Sequence, residues 1–167
     1  MKTLLTFVFS FLFVFISFGQ TIESRIAEIR KEYYSINSSK LKKDSIEISD
    51  ETTEGGQVDF YRDASDNLRK IVASYYGENG KLVNEYYISN GNLIFCFTQR
   101  FDYNQAITAE GTSKTTVSEY RYYFGTNKKL IRIIDKDKKV IQDNPSLATQ
   151  GNEILEEFQK LKSRARE

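Results

Sequence analysis

The side chains here that can do chemistry are carboxylates, tyrosines and a single thiol; histidine is absent from all 167 residues. That absence removes the serine triad, the usual zinc ligand sets and the commonest general base together. Carboxylate chemistry is what remains. Glycoside hydrolysis needs two acids at a set separation. Glu85 and Glu119, each mid-strand on the mixed side of an alternating stretch, are the pair to try first, although in a chain with 23 acids such a pair carries little weight. Asp59, Asp63 and Asp66 cluster in VDFYRDASDN, but the spacing lacks the glycine at position six and the acid at position twelve of an EF-hand loop. Turn chemistry, in which Asp and Asn bond their own backbone, is the favoured reading. Asp135 and Asp137, set among Lys136, Lys138 and Lys139, read as a solvated turn. Cys96 lies mid-strand in Leu93-Ile-Phe-Cys-Phe97 and reads as a small buried apolar residue. As the chain's only cysteine, it can form no internal disulfide. The glycines are scattered through turns and make no phosphate-binding loop. No catalytic residue, metal ligand or cofactor is expected.

The ends set the context. Lys2 precedes an almost continuously apolar run, Leu4 to Phe18, and the small residues Ser17 and Gly19 stand before Gln20. This is the pattern of a cleaved export signal over residues 1–19. The alternative, an uncleaved anchor, is disfavoured because the run is shorter than the ~20 residues that span a bilayer. The Phe-rich stretch ending in Gly-Gln resembles export signals of Gram-negative Bacteroidota, which implies a periplasmic or secreted protein with no membrane attachment after cleavage. Its removal takes away Lys2 and no acid, leaving equal numbers of basic and acidic side chains over residues 20–167. A nucleic-acid partner, which wants a basic excess, is therefore not expected. Half of the 12 Phe leave with the signal and all 11 Tyr remain, so the core is Tyr-heavy and its hydroxyls need partners. Residues 20–167 fit one domain.

The elements follow from periodicity and turns. Thr21 caps a helix carrying Ile22, Ile26, Ile29, Tyr33 and Ile36 at helical spacing, ended by Asn37-Ser-Ser-Lys40. Strands are expected at 45–49, 57–61, 68–76, 81–89, 93–101, 117–124, 130–135 and 140–142. Asn79-Gly80 and Asn90-Gly91 are the strongest hairpin signals, because a tight primed turn needs positive φ that Asn and Gly tolerate. The first of these also reads as a three-residue loop with a bulge, which would flip residues 70–76. Residues 102–116 lack a sustained period and read as a long loop, a length that in compact domains is often functional. A closing helix runs from about Asn152, with Ile154, Leu155, Phe158 and Leu161 on one face. The fold class is α+β: an antiparallel β-meander sheet of about 6–8 strands with an N-terminal and a C-terminal amphipathic helix packed on one face.

A two-residue turn at Asn90-Gly91 pairs Ile88 with Leu93, Tyr86 with Phe95 and Asn84 with Phe97. Leu82, Tyr86, Ile88, Leu93, Phe95 and Phe97 then form the core face. Val83, Glu85, Tyr87, Ile94, Cys96, Thr98 and Arg100 form the other. This mixed face reads either as an ordinary wet sheet face with weak cross-strand charges or as a shallow groove. The adjacent Tyr pairs at 33/34, 75/76, 86/87 and 122/123 would put one ring in the core and one outside, leaving Tyr87 and Tyr123 to stack on a sugar or a protein. The candidate ligand-binding residues are Glu85, Tyr87, Thr98, Arg100 and Tyr123.

Turn-then-Leu/Val units recur as DASDNL (63–68), GENGKL (77–82), SNGNL (89–93), GTNKKL (125–130) and DKDKKV (135–140). They resemble the aromatic-x-x-x-Gly-x-Leu hairpins of MORN-like and YD-type repeats. The resemblance covers about a third of the chain and implies a meander without a specific activity. The function expected is an exported non-catalytic binding or interaction domain of the bacterial envelope, with an unknown protein or glycan partner. A carboxylate-dependent hydrolase and an inhibitor or immunity-like protein are the alternatives.

Overall fold

The computed structural model describes residues 21–49, 54–104 and 114–165. The expected export signal lies outside them. Helix α1 (Ile22–Ser38) is followed by strands β1 (Lys42–Ile48), β2 (Gly56–Arg62), β3 (Leu68–Gly77), β4 (Gly80–Ser89), β5 (Asn92–Tyr103), β6 (Thr115–Phe124), β7 (Leu130–Ile134) and β8 (Val140–Ile141), and by helix α2 (Ser146–Arg164). The strands form one antiparallel sheet in sequence order, the meander that the turn signals imply.

Local chemistry explains the boundaries. The Thr21 side chain accepts a hydrogen bond from the Ser24 N–H and starts α1. Asn90 and Gly91 both adopt positive φ, as a primed turn requires. Asn79-Gly80 behaves differently. Gly77 pairs directly with Gly80, so the loop is Glu78-Asn79, and β3 and β4 pair without a register shift. Gly80 is needed for proximity: a Cβ there would sit 2.3 Å from the Phe101 carbonyl oxygen.

Three of the recurrent turns share one construction. In 63–67, 125–129 and 135–139 the first N–H bonds to the fifth carbonyl and the fourth N–H to the first carbonyl. The fourth residue (Asp66, Lys128 or Lys138) takes a φ of 62°. Asp63 and Asp135 accept backbone N–H groups inside their own turns, which is the role the sequence assigns them. The repeat is thus a repeat of turns. Pairing of β5 with β6 continues into the stretch 102–116 expected as a loop, out to Tyr103 and Thr115. Residues 105–113 lie outside the described residues. Helix α2 begins six residues before Asn152, burying Leu147 and Gly151 as well as Phe158 and Leu161. Gly151 conceals this from a propensity argument, yet it is where α2 meets β7: a Cβ would lie 2.8 Å from that of Leu130.

The two helices do not share a face. Tyr86 packs on Phe158 of α2 with ring centres 6.0 Å apart, whereas the next residue, Tyr87, packs on Tyr33 of α1 at 4.8 Å. Neighbours along a strand point to opposite faces, so the helices sandwich the sheet. Ile48, Val58, Phe60, Ile71, Ala73, Tyr86, Ile88, Leu93, Cys96, Phe124, Leu130 and Ile133 form the core beneath α2. Tyr87, Ile94, Phe95 and Tyr123 form a second core beneath Ile26, Ile29 and Ile36 of α1. The expected single-sided packing fails because the central strands are apolar on both faces.

Replacing Phe158 by Ala should cost about 3–5 kcal/mol of unfolding free energy and Ile26→Ala about 2–5. The two should add within about 0.5 kcal/mol, since the clusters share no residue. Urea denaturation of the singles and the double checks this, and a negligible cost for Ile26→Ala would mean that α1 is not part of the core.

Candidate functional site

The β4–β5 register decides which residues meet. Ser89 pairs with Asn92 and Ile88 with Leu93 as expected, but a shift follows and Tyr87 pairs with Phe95, Tyr86 with Cys96, Glu85 with Phe97 and Asn84 with Thr98. Ile94 is the extra residue, a bulge. Every side chain of β5 beyond it exchanges faces relative to the simple hairpin. Phe95 and Phe97 join Glu85 and Tyr87 on the α1 face, and Cys96, Thr98 and Arg100 go to the α2 face.

The five candidate residues are therefore divided. Glu85, Tyr87 and Tyr123 lie beneath α1, while Thr98 and Arg100 lie on the reverse of the sheet. Tyr87 is 1% exposed and Tyr123 4%, so neither is an outward ring. The Tyr87 hydroxyl donates to Glu85 Oε2 at 2.5 Å and accepts from Asn37 Nδ2 at 3.2 Å and Lys70 Nζ at 3.3 Å. Lys70 also bridges to Glu85 at 2.9 Å and lies over the rings of Tyr61 and Tyr87. Burial and the hydrogen bond to Glu85 both hold the Tyr87 phenol in its neutral form. This knot fastens the end of α1 to the sheet. Beside it, Asp59 binds Lys43 at 2.7 Å, Ser45 at 2.7 Å and Gln57 at 2.6 Å. Burial pushes the Asp59 carboxyl upward, but these partners outweigh it and leave it below the ordinary carboxylate range.

Thr98 donates to Asn84 at 2.8 Å. Arg100 is exposed, pairs with Asp102 at 2.9 Å and borders a hollow at the β3–β4 turn that Tyr75, Tyr76 and Phe101 also line, where Tyr75 bonds Glu157 of α2. Cys96 is buried, which pushes its thiol up to about 12. Glu85 and Glu119 share the α1 face but do not confront each other. Phe97 and Arg121 intervene, since Glu85 pairs with Phe97 and Phe97 with Arg121. Each acid is engaged by its own cation, Glu85 by Lys70 and Glu119 by Arg121. Among the described residues no three His, Cys, Asp or Glu side chains gather as a metal site would require.

The concave surface where aromatic rings converge lies on the flank of α1. A cleft of about 510 Å³ is formed by Ile29, Arg30, Tyr33 and Tyr34 of α1, Phe95 and Phe97 of β5, Arg121 and Tyr123 of β6, Ile134 of β7 and Lys138 of the β7–β8 turn. Its floor is a continuous ring cluster: Tyr33 meets Phe95 edge-on at 5.7 Å, and Phe95 meets Tyr123 at 4.9 Å. Tyr34 stands at the rim, 69% exposed, against the edge of Tyr33. The guanidinium of Arg121 covers the Phe97 ring at 5.0 Å while donating to Glu119 at 2.8 Å.

Of the candidates from sequence, only Tyr123 belongs to this cleft. Phe97, Arg121 and Tyr34 were legible as a strand aromatic, a strand cation and half of a Tyr pair, but no local pattern brings them together. The chain matches no family model, no curated protein and no solved structure.

Two tests follow from the knot beside the cleft. Tyr87→Phe removes the hydroxyl shared by Glu85, Lys70 and Asn37, and should cost about 1–3 kcal/mol in urea denaturation; an unchanged midpoint would show that the hydroxyl is dispensable. For Asp59, a folded pKa below the unfolded one adds stability above the unfolded value near 4 that is lost as pH falls through the folded value. Asp59→Asn should thus be less stable than the parent at pH 7, with the gap closing toward pH 3. A gap of constant size across that range would contradict the assignment.

Proposed function

We propose that this chain is an exported, non-catalytic binding domain of the bacterial envelope and that the cleft between α1 and β5–β7 is its binding site. Export is supported by the Lys2-led apolar run and the small residues before Gln20. The binding role rests on one observation. Rings from one helix and two strands line a single open depression of a size that small-molecule sites commonly have, roughly 300–1,000 Å³.

The packing favours a site there over an incidental gap. The two ends of α1 are tied to the sheet, its last turn by the Tyr87 knot and its first by Arg132. That arginine is 6% exposed and donates to Glu23 of α1 and to Gln142. Beneath the helix, Ile26, Ile29 and Ile36 fill the space. Along the flank Tyr34 is exposed and Tyr33 and Phe97 are half-buried, so aromatic surface stays accessible there. Such surface costs free energy in an isolated domain, and a ligand that covers it recovers that cost.

The test is a small-molecule fragment library screened by amide chemical shifts on the folded chain. Shifts should cluster at Ile29, Tyr33, Phe97 and Arg121, and Phe97→Ala should weaken the cleft hits by about tenfold, in line with the ~1.5–3 kcal/mol that burial of a Phe-sized side chain contributes. Hits confined to the Tyr75–Arg100 hollow on the opposite face, or no hits on either face, would overturn the assignment.

A further inference from the structure

We infer that the ligand of this cleft is a small amphipathic anion, an acyl or aryl carboxylate whose apolar body lies on the aromatic floor and whose charge meets the basic rim. The inference rests on the cleft being the binding site and names the chemistry that site selects. Its carrying feature is the composition of the lining. Ten residues line the cleft: seven are aliphatic or aromatic, three are the cations Arg30, Arg121 and Lys138, and none is an acid, amide, serine or threonine.

Each part of that inventory excludes something. A saccharide brings a hydroxyl at nearly every carbon, and a site that buries them must supply neutral or acidic hydrogen-bond partners. Here the only neutral polar groups are the tyrosine hydroxyls. A cationic ligand could use the ring faces, but it would have to approach three positive side chains. A neutral apolar molecule would leave the rim unused. An anion on an apolar body satisfies both halves.

The charges also differ in their readiness. Arg121 is partly neutralised by Glu119, which sits outside the cleft, and is oriented by the Phe97 ring. Arg30 and Lys138 are exposed and make no ion pair among the described residues, although Arg30 adds slightly to the lowering of the Glu23 pKa that the Arg132 hydrogen bond mainly causes. Lys138 is presented by the β7–β8 turn, whose hydrogen bonds fix its backbone at positive φ beside Asp135 and Asp137. Arg30 on the helix side and Lys138 on the turn side thus flank the opening. A carboxylate entering between them gains from both at the modest strength of exposed charges.

The experiment compares an aryl anion, an aryl cation and a hydroxylated anion against the folded chain by calorimetry and amide shifts: 2-naphthoate, 2-naphthylmethylamine and methyl glucuronide. Naphthoate should bind at the cleft about tenfold or more tighter than the amine at low salt, and the preference should shrink as salt is raised. The Arg30→Gln/Lys138→Gln double variant removes two exposed charges and leaves the ring floor intact. It should lose most of the preference while keeping residual naphthalene binding. Equal binding of acid and amine at the cleft would overturn the anion inference and leave the site standing. Binding of glucuronide at the cleft without naphthoate would overturn the amphiphile and again leave the site. No shift at any cleft residue with any of the three would count against both readings.

Discussion

One extra residue in β5 governs the arrangement. Because side chains alternate with a period of two, a single inserted residue sends everything beyond it to the other face. Ile94 is that residue. With it, Phe95 and Phe97 face α1 and complete the floor of the cleft, and Cys96 fits beside Tyr86 in the core beneath α2. Without it, both phenylalanines would crowd the Phe158 side and the face beneath α1 would hold Cys96, Thr98 and Arg100, too small and too polar to support a helix. The sandwich and the cleft depend on the same bulge.

The helices are held by different physics. Helix α2 docks mainly through apolar contacts, with Leu147, Phe158 and Leu161 buried and Gly151 permitting close approach to β7. Helix α1 is fixed by three isoleucines and a set of directional polar ties. Arg132 reaches Glu23, Arg69 holds Glu32 at 2.5 Å and Asp63 at 3.2 Å, and Arg25 donates to the Phe124 carbonyl at 3.3 Å. Asn37 meets Tyr87 at the far end. Ion pairs of this kind add little net stability, because desolvation offsets the Coulombic gain. Their value is geometric. They set where α1 crosses the sheet, and so how much of the aromatic surface on its flank remains open.

The meander was legible because its determinants are local. Asn90-Gly91 carries its turn conformation in two residues, Thr21 caps in one, and the DASDN, GTNKK and DKDKK turns bring their own hydrogen-bonding side chains. What could not be read depends on sums over distance. A bulge leaves no mark in LIFCF, where either phase places a large apolar residue on each face. The same ambiguity hid the second core. Adjacent tyrosines at 86/87 and 122/123 look like one buried ring and one exposed, yet with a helix on each side Tyr86, Tyr87 and Tyr123 are buried and Tyr122 is half-buried. A near-continuous apolar run such as LIFCF or LIRII, as opposed to strict alternation, was the available signal of a sheet covered twice. The cleft was the least legible feature, since its lining comes from five separate elements.

The cleft also shows how a domain keeps aromatic surface exposed without losing its fold. The rings at its base are locked before any ligand arrives: Phe95 is wedged among Tyr33, Tyr87 and Tyr123, so its position is set by the core. Phe97, less buried, is shielded by the Arg121 guanidinium, a weakly hydrated planar cation that can cover a ring and still pair with Glu119. An occupant of the proposed site would therefore meet a floor whose rings are already held by the core. Preorganisation of this sort lowers the entropic cost of binding. It also explains why the open flank coexists with a helix tied down at both ends: the ties hold α1 back from the rings it would otherwise cover.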